Sequence, residues 1–326
     1  MSIDTKILSA LRTADEGFAP AVELAARLGV TRTALRARVE ELRTLGYDIE
    51  ASPLRGYRLR AAPDKLHADD LLARMGKVKV VGRDIRVFEE TTSTSDVVGR
   101  LAQDGVKEGV VVFAESQTKG RGRLGRKWTS PAHKGLWFSV LLRPKVSPQA
   151  VTQVTITAAT ALARAIREQT DLKPEIKWPN DILIKGKKVA GILTELHAEL
   201  DRVRSVILGI GVDVNLTTAD FPAELRRLAT SLKMEMGKEW PRAELAAGIL
   251  HELDRNYARL GAGEFEVIAD EWADHCTTLD CNVSIRVGPR KIEGRAESLD
   301  ADGALLVRTE HGHLERVIGG DVTLEK

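Results

Sequence analysis

Apolar positions along the first part of the chain recur at helical spacing. Ile3, Ile7, Leu8 and Leu11 mark one face of a helix over 3–12, and Val22, Leu24, Ala25 and Leu28 do the same over 21–28, since residues three and four apart share a helix face. Gly29 ends the second helix, because glycine takes the left-handed cap without a Cβ clash. Thr31 is placed to cap a third helix, whose Leu35, Val39, Leu42 and Leu45 form one stripe before Gly46 stops it. The stretch YDIEASPLRGYRLR that follows alternates as two strands around a turn do.

Helix, glycine turn, capped helix and hairpin make the layout of a winged helix-turn-helix. In such a unit the start of the second paired helix enters the DNA major groove. Here it presents Thr31, Arg32, Thr33 and Arg36, and the wing carries Arg55 and Arg58. Charge strengthens this reading. The chain as a whole is nearly balanced at a formal +2, yet residues 27 to 60 hold eight arginines against Glu40, Glu41, Asp48 and Glu50. A local positive field of this kind suits a polyanion.

Beyond 60, the run APDKLHAD (62–69) reads as a linker into a small helix at 68–75. Apolar strands follow at VVVFA (110–114), LWFSVLL (136–142) and VILGIGVDV (206–214), interleaved with helices of which 151–169 reads as the longest and is largely apolar. The first two strand runs are separated by a loop and not a helix, which predicts a mixed α/β sheet over a regular doubly wound one. Residues 277–326 break into short strands with Gly, Asp and Pro turns, the pattern of a small β-barrel of SH3-like size. The fold class is α+β, with expected boundaries at 1–62, 63–275 and 276–326.

With 326 residues, 43% of them hydrophobic and 4% aromatic, the chain is long enough for two or three domains with real cores. No window approaches the roughly 18 apolar residues needed to span a bilayer, and no secretory leader pattern opens the chain, so the expected location is the cytoplasm, without a membrane partner. Cys276 and Cys281 are too few for a disulfide framework and lack a second ligand pair for zinc.

Two segments carry chemistry. In ESQTKGRGRLGRKW (115–128), Lys119, Arg121, Arg123, Arg126 and Lys127 lie among Gly120, Gly122 and Gly125, ahead of Trp128. Glycines let a loop approach a ligand and reorder, and guanidinium forks hold phosphate or carboxylate oxygens, so the string reads as a flap over a polyanion. It also fits G-x-G-x-x-G after a strand, but no helix opens at its end and no acid follows about 20 residues on, as a dinucleotide fingerprint requires. A P-loop would need Lys and Ser/Thr where Arg126 and Lys127 stand. In KWPNDILIKGKKVAGILTE (177–195), Pro179 breaks the chain after Trp178, leaving Asn180 and Asp181 at a strand edge ahead of a hairpin turning at Lys185-Gly186-Lys187.

The strings GRGRLGRKW, KWPND and KVAGIL, in this order, resemble the defining motifs of the biotin-protein ligase family. TTSTSD (91–96) resembles its Ser-Thr biotin segment, and GIGVDVN (209–215) its Gly-rich strand. The winged N-terminus and small C-terminal barrel are similar to the class that doubles as a biotin-operon repressor, so the resemblance spans nearly the whole chain. It implies a central catalytic domain of the biotin/lipoate ligase type. Biotin and ATP would be the substrates, Mg²⁺ would assist, and a biotin carboxyl carrier domain of acetyl-CoA carboxylase would be the acceptor. Operator DNA would be a second partner, bound by a homodimer loaded with biotinyl-5′-AMP.

Residue by residue, the resemblance implies biotin contacts from Ser93, Thr94, Ser95, Gln117, Arg121, Gly122, Arg123, Lys188 and Gly191. Adenylate contacts would come from Gly120, Arg121, Arg123, Arg126, Trp128, Lys177, Asn180, Asp181, Lys188, Asp213 and Asn215. Lys188, Arg123 and Asp181 would carry catalysis, with Asp181 holding Mg²⁺. Ser95 and Asp213 stand where Asn is common in the family.

Overall fold

The computed structural model describes residues 2–14, 17–199 and 202–324. Its N-terminal unit holds α1 (Ile3–Arg12), α2 (Ala21–Leu28), α3 (Arg32–Thr44) and the hairpin of β1 (Asp48–Ser52) and β2 (Gly56–Ala61). Ser2 and Thr31 cap α1 and α3 through their hydroxyls, and α2 ends on a left-handed Gly29, each cap satisfying backbone groups that a helix end leaves open. Ile7, Leu8, Leu24, Leu35, Val39, Leu42 and Ile49 form the core of this unit. A glycine is needed at 56, where φ is +97° and a Cβ would lie 2.1 Å from the Ala19 carbonyl oxygen.

The central unit runs α4 (Ala68–Met75), β3 (Asp84–Thr91), α5 (Thr94–Gln103), β4 (Val110–Gln117), β5 (Leu136–Leu142), α6 (Thr152–Thr170), β6 (Glu175–Lys177), β7 (Asp181–Ile184), β8 (Lys187–Glu199), β9 (Arg202–Val212), α7 (Leu232–Met236), α8 (Arg242–Gly261) and α9 (Phe265–Ala273). Its strands pair in the order β3-β4-β5-β9-β8-β7-β6. β3 and β4 are parallel and the other ladders antiparallel, the mixed sheet that the loop between the first two apolar runs predicts. A parallel pair needs a crossover, and α5 is that crossover. It covers one face through Val97 and Val98 against Val110, Val112, Leu141 and Ile207. The large core of the opposite face is shared with α6, α8 and α9. Burial on both faces explains why β4 and β5 read as continuous apolar runs.

The C-terminal strands β10 (Asn282–Val287), β11 (Arg290–Leu299), β12 (Leu305–Arg308), β13 (Leu314–Val317) and β14 (Asp321–Leu324) form an antiparallel sheet in the order β13-β12-β11-β10-β14. Val283, Ile285, Ala296, Leu305 and Val307 extend the central core.

The run at 62–69 is more firmly held than a linker. Arg242, fully buried at the start of α8, donates to the Asp64 carboxylate and carbonyl and to the Glu115 carboxylate, while Glu115 accepts the Leu66 N–H at 2.8 Å. On the other side of α4, buried Asp70 pairs with Arg12 of α1 at 2.5 Å and with Arg74 at 2.9 Å. Among the described residues no helix is long and apolar enough to cross a membrane.

Candidate active site

Strand register lays a strip of small residues across the middle of the central sheet. Ser139 on β5 faces Gly209 on β9, and Gly211 faces Trp137 on one side and Gly191 of β8 on the other. Residues two apart share a sheet face, so Gly209, Gly211 and Gly191 leave that face low. A cavity of about 530 Å³ opens over it, within the range of small-molecule sites. The glycines are needed there. A Cβ on Gly211 would lie 2.5 Å from the Trp128 indole, which roofs the strip.

One end of the cavity is a buried polar cluster. Ser93, Thr94 and Ser95 open α5 at 2–4% exposure. The Thr94 N–H donates to Gln117 Oε1 at 2.9 Å, and the Ser139 hydroxyl bonds those of Thr94 at 2.7 Å and Ser95 at 3.0 Å. Gln117 in turn donates to Ser130 at 2.9 Å. Such an end offers both donors and acceptors to a small polar ring.

The other end is cationic. Lys188, on β8, places its Nζ 2.6 Å from Asp181 Oδ1 and 5.3 Å from the Trp128 ring centre. Asn180 Oδ1 accepts from Arg123 at 3.0 Å. Burial lowers the Arg123 pKa, with Asp181 and Asp321 opposing, and among the described residues no carboxylate lies within ion-pair distance of it. A desolvated guanidinium without its own counterion is suited to an incoming anion. Lys177, Gly122 and Asp213 complete this wall, and β14 contributes Asp321, Val322 and Thr323.

The flap is therefore less free than its composition implies. Arg121 is bound by Asp96 at 2.5 Å and Glu195 at 3.1 Å, and those hydrogen bonds outweigh burial and raise its pKa. Arg126 pairs with Asp321 at 2.6 Å. Both still line the cavity, but Arg123 is the flap arginine whose charge is open.

Two expected contacts lie elsewhere. Asn215 spends its amide on the Trp240 backbone, with both hydrogen bonds at 2.9 Å, and is outside the cavity wall. Gly120 packs behind the flap, where its carbonyl accepts the Trp128 N–H and a Cβ would meet the Trp128 carbonyl at 2.4 Å. Conversely, Ser139 is a site residue that the sequence reading missed, although it is the one polar break in LWFSVLL. The β14 residues gave no sequence signal at all.

In the N-terminal unit Arg32, Thr33 and Arg36 are exposed along the start of α3, whereas the Thr31 hydroxyl is engaged as the cap of α3. The wing guanidiniums of Arg55 and Arg58 lie 4.1 and 4.9 Å from the centre of the Phe18 ring.

Comparison with known proteins follows the same division. The profile of the biotin/lipoate A/B protein ligase family matches residues 87–215, that of an HTH domain 4–58, and that of the biotin protein ligase C terminal domain 278–324. The chain is 39% identical over 298 residues to the bifunctional ligase/repressor BirA of Bacillus subtilis (strain 168), covering 91% of each protein. It is 32% identical over 272 residues to a biotin--[acetyl-CoA-carboxylase] ligase of Mycobacterium tuberculosis (strain ATCC 25618 / H37Rv), covering 81% of this chain and 97% of that protein. The biotin protein ligase of Aquifex aeolicus, solved in complex with biotin and ATP, superposes with a TM-score of 0.64 at 31% identity, over 75% of this chain and 99% of that one.

Proposed function

Since this chain belongs to the biotin protein ligase family in its bifunctional ligase/repressor form, we propose that its cavity makes biotinyl-5′-AMP from biotin and ATP. The chain then transfers biotin to a lysine of the biotin carboxyl carrier domain of acetyl-CoA carboxylase. The observation that carries this reading is the polarity of the cavity, with a buried Ser-Thr-Gln cluster at one end and Lys188 with Arg123 at the other. A ring with urea-like donors and acceptors fits the first, and the meeting of a carboxylate with a phosphate fits the second.

In the first step a biotin carboxylate oxygen attacks the α-phosphorus of ATP and pyrophosphate leaves. Both reactants are anions, so the barrier falls where fixed cations meet the developing charge. Lys188 and Arg123 do this with little reorganisation, because Asp181 and Asn180 already hold them. In the second step the lysine ε-nitrogen attacks the acyl carbon, AMP leaves, and the amine proton passes to the Asp181 carboxylate. Trp128, Gly122 and the rest of the flap exclude water from the anhydride.

Mg²⁺ fits here as a nucleotide-borne ion. Among the described residues no group of three or more His, Cys, Asp or Glu side chains surrounds a point, so Asp181 would hold the ion together with the phosphates of the nucleotide, a set of hard oxygens that Mg²⁺ accepts. When bound, the ion neutralises phosphate charge.

The winged unit reads operator DNA through Arg32, Thr33 and Arg36 in the major groove and Arg55 and Arg58 along the backbone, with Thr31 supporting the helix start. The loaded protein binds as a homodimer in the cytoplasm. The functional boundaries of this reading are 1–62, 63–275 and 276–326.

The test is to incubate the chain with ATP, magnesium and a carrier domain, with biotin or lipoate. Biotin alone should release pyrophosphate and add its acyl mass to one carrier lysine. Equal addition of lipoate, or no pyrophosphate release with biotin, overturns the reading.

A further inference from the structure

Asp213 directly follows β9 at the cationic end of the cavity and is 4% exposed. Its backbone is fully used, the N–H on the Val189 carbonyl and the carbonyl on the Leu232 N–H. Its carboxyl is not, for among the described residues it has no hydrogen-bond partner. A buried polar group facing a cavity without a partner marks a place where a ligand atom belongs. Resting on the reading of this cavity as a nucleotide site, we propose that Asp213 meets the nucleotide as a neutral carboxylic acid and donates its proton in a hydrogen bond to an acceptor atom of the ligand.

The surroundings leave little support for a carboxylate. The cation that acts on the carboxyl is Lys188 on β8, which is already engaged by Asp181 of β7 at 2.6 Å. On the side of α7, Glu235 is held by Lys185 and Thr230, and Lys233 is held by Glu239. Lys134, whose carbonyl accepts the Asn215 N–H, is held by Asp220. An ionised carboxyl would be desolvated without a free counterion, and an incoming polyphosphate would add repulsion. Burial accordingly raises the Asp213 pKa well above the ordinary carboxylate value, with Lys188 opposing. A neutral acid, by contrast, supplies a donor and an acceptor, as a side-chain amide does.

The consequence is a proton linked to binding. Below the Asp213 pKa the site is ready-protonated and affinity is full. Above it, binding must first take up a proton, and affinity falls about tenfold per pH unit. Asp213 thereby tunes nucleotide capture to pH.

The measurement is calorimetric titration of the full chain with ATP, from mildly acidic to alkaline pH, in buffers of differing ionisation enthalpy. The wild type should take up more protons on the alkaline side than Asp213→Asn. Asp213→Asn, which keeps a donor and an acceptor, should hold its affinity where the wild type loses tenfold per unit. Asp213→Ala should bind weakly at every pH, with a melting temperature near that of the wild type. Parallel pH profiles and equal proton uptake in wild type and Asp213→Asn overturn the proposal while leaving the nucleotide site standing. Absence of saturable ATP binding by the wild type overturns both.

Discussion

The Nζ of Lys188 lies 2.6 Å from the Asp181 carboxylate, across the β7–β8 hairpin and under the Trp128 indole. The pair fixes a charged lysine on a cavity wall before any ligand arrives. Both residues belong to one short hairpin whose turn, Lys185-Gly186, has positive φ at both positions, the geometry of a two-residue connection, and a bulge between Ile182 and Leu183 shifts the register beyond it. A donor fixed in this way acts on the transition state without first being ordered.

Replacing Lys188 by Ala should therefore remove adenylate formation and leave the fold. Loss of one positioned donor in such a site is worth about 2.7–4 kcal/mol, or about a hundred- to a thousand-fold in rate. Pyrophosphate release gives the rate and thermal unfolding checks the fold. A variant releasing pyrophosphate at the normal rate sinks the assignment.

Asp181→Asn separates the two half-reactions. It removes the carboxylate that takes the amine proton, so transfer from preformed biotinyl-5′-AMP to the carrier lysine should slow about a hundredfold or more, as loss of a general base does. Adenylate synthesis should suffer less, because the amide oxygen of Asn can still accept from Lys188. Single-turnover measurement of each step is the check, and an unchanged transfer rate would falsify the role.

Gly211→Ala should act through Trp128. The new Cβ would meet the indole at 2.5 Å, so the roof must lift from the strip. Nucleotide affinity should fall while the sheet survives, since β9 keeps its ladders to β5 and β8. Calorimetry of ATP binding, read beside far-ultraviolet dichroism, distinguishes this from general unfolding.

Breaking the fully buried Arg242–Glu115 pair should cost stability more than any surface pair. Arg242→Met leaves the buried Glu115 carboxylate without its guanidinium, at about 3–5 kcal/mol. Denaturant titration should show the loss, and the double change with Glu115→Leu should recover part of it. No recovery would mean that the hydrogen bonds to Asp64 and Gly135, and not the ion pair, hold this junction.

Arg32→Ala and Arg36→Ala should weaken operator binding without altering biotin transfer. An arginine that neutralises a phosphate lowers the salt slope of binding by about one when it is removed, whereas removal of one that reads a base edge relaxes sequence preference. Band-shift titrations at several salt concentrations decide between the two. Undiminished binding by the double variant would remove α3 from the interface.

Much of this protein is legible from residue order alone, because local chemistry decides it. The helix spans at 3–12 and 21–28 follow from apolar spacing, the second with its glycine stop, and the strand at 136–142 from a run that is apolar except for Ser139. The cationic glycine flap and the KWPND string name most of the cavity wall, since the residue types themselves carry the chemistry. Charge availability is a different matter. Which arginine stays open depends on the distant carboxylates that fold against each one, so Arg121 meets Asp96 and Glu195, Arg126 meets Asp321, and Arg123 keeps its charge for a ligand. Tertiary packing set Ser139 of β5 beside Thr94 of α5, put Asp213 in the wall, and turned Asn215 towards Trp240. Burial and pairing are properties of three-dimensional neighbours, and a one-dimensional pattern does not contain them.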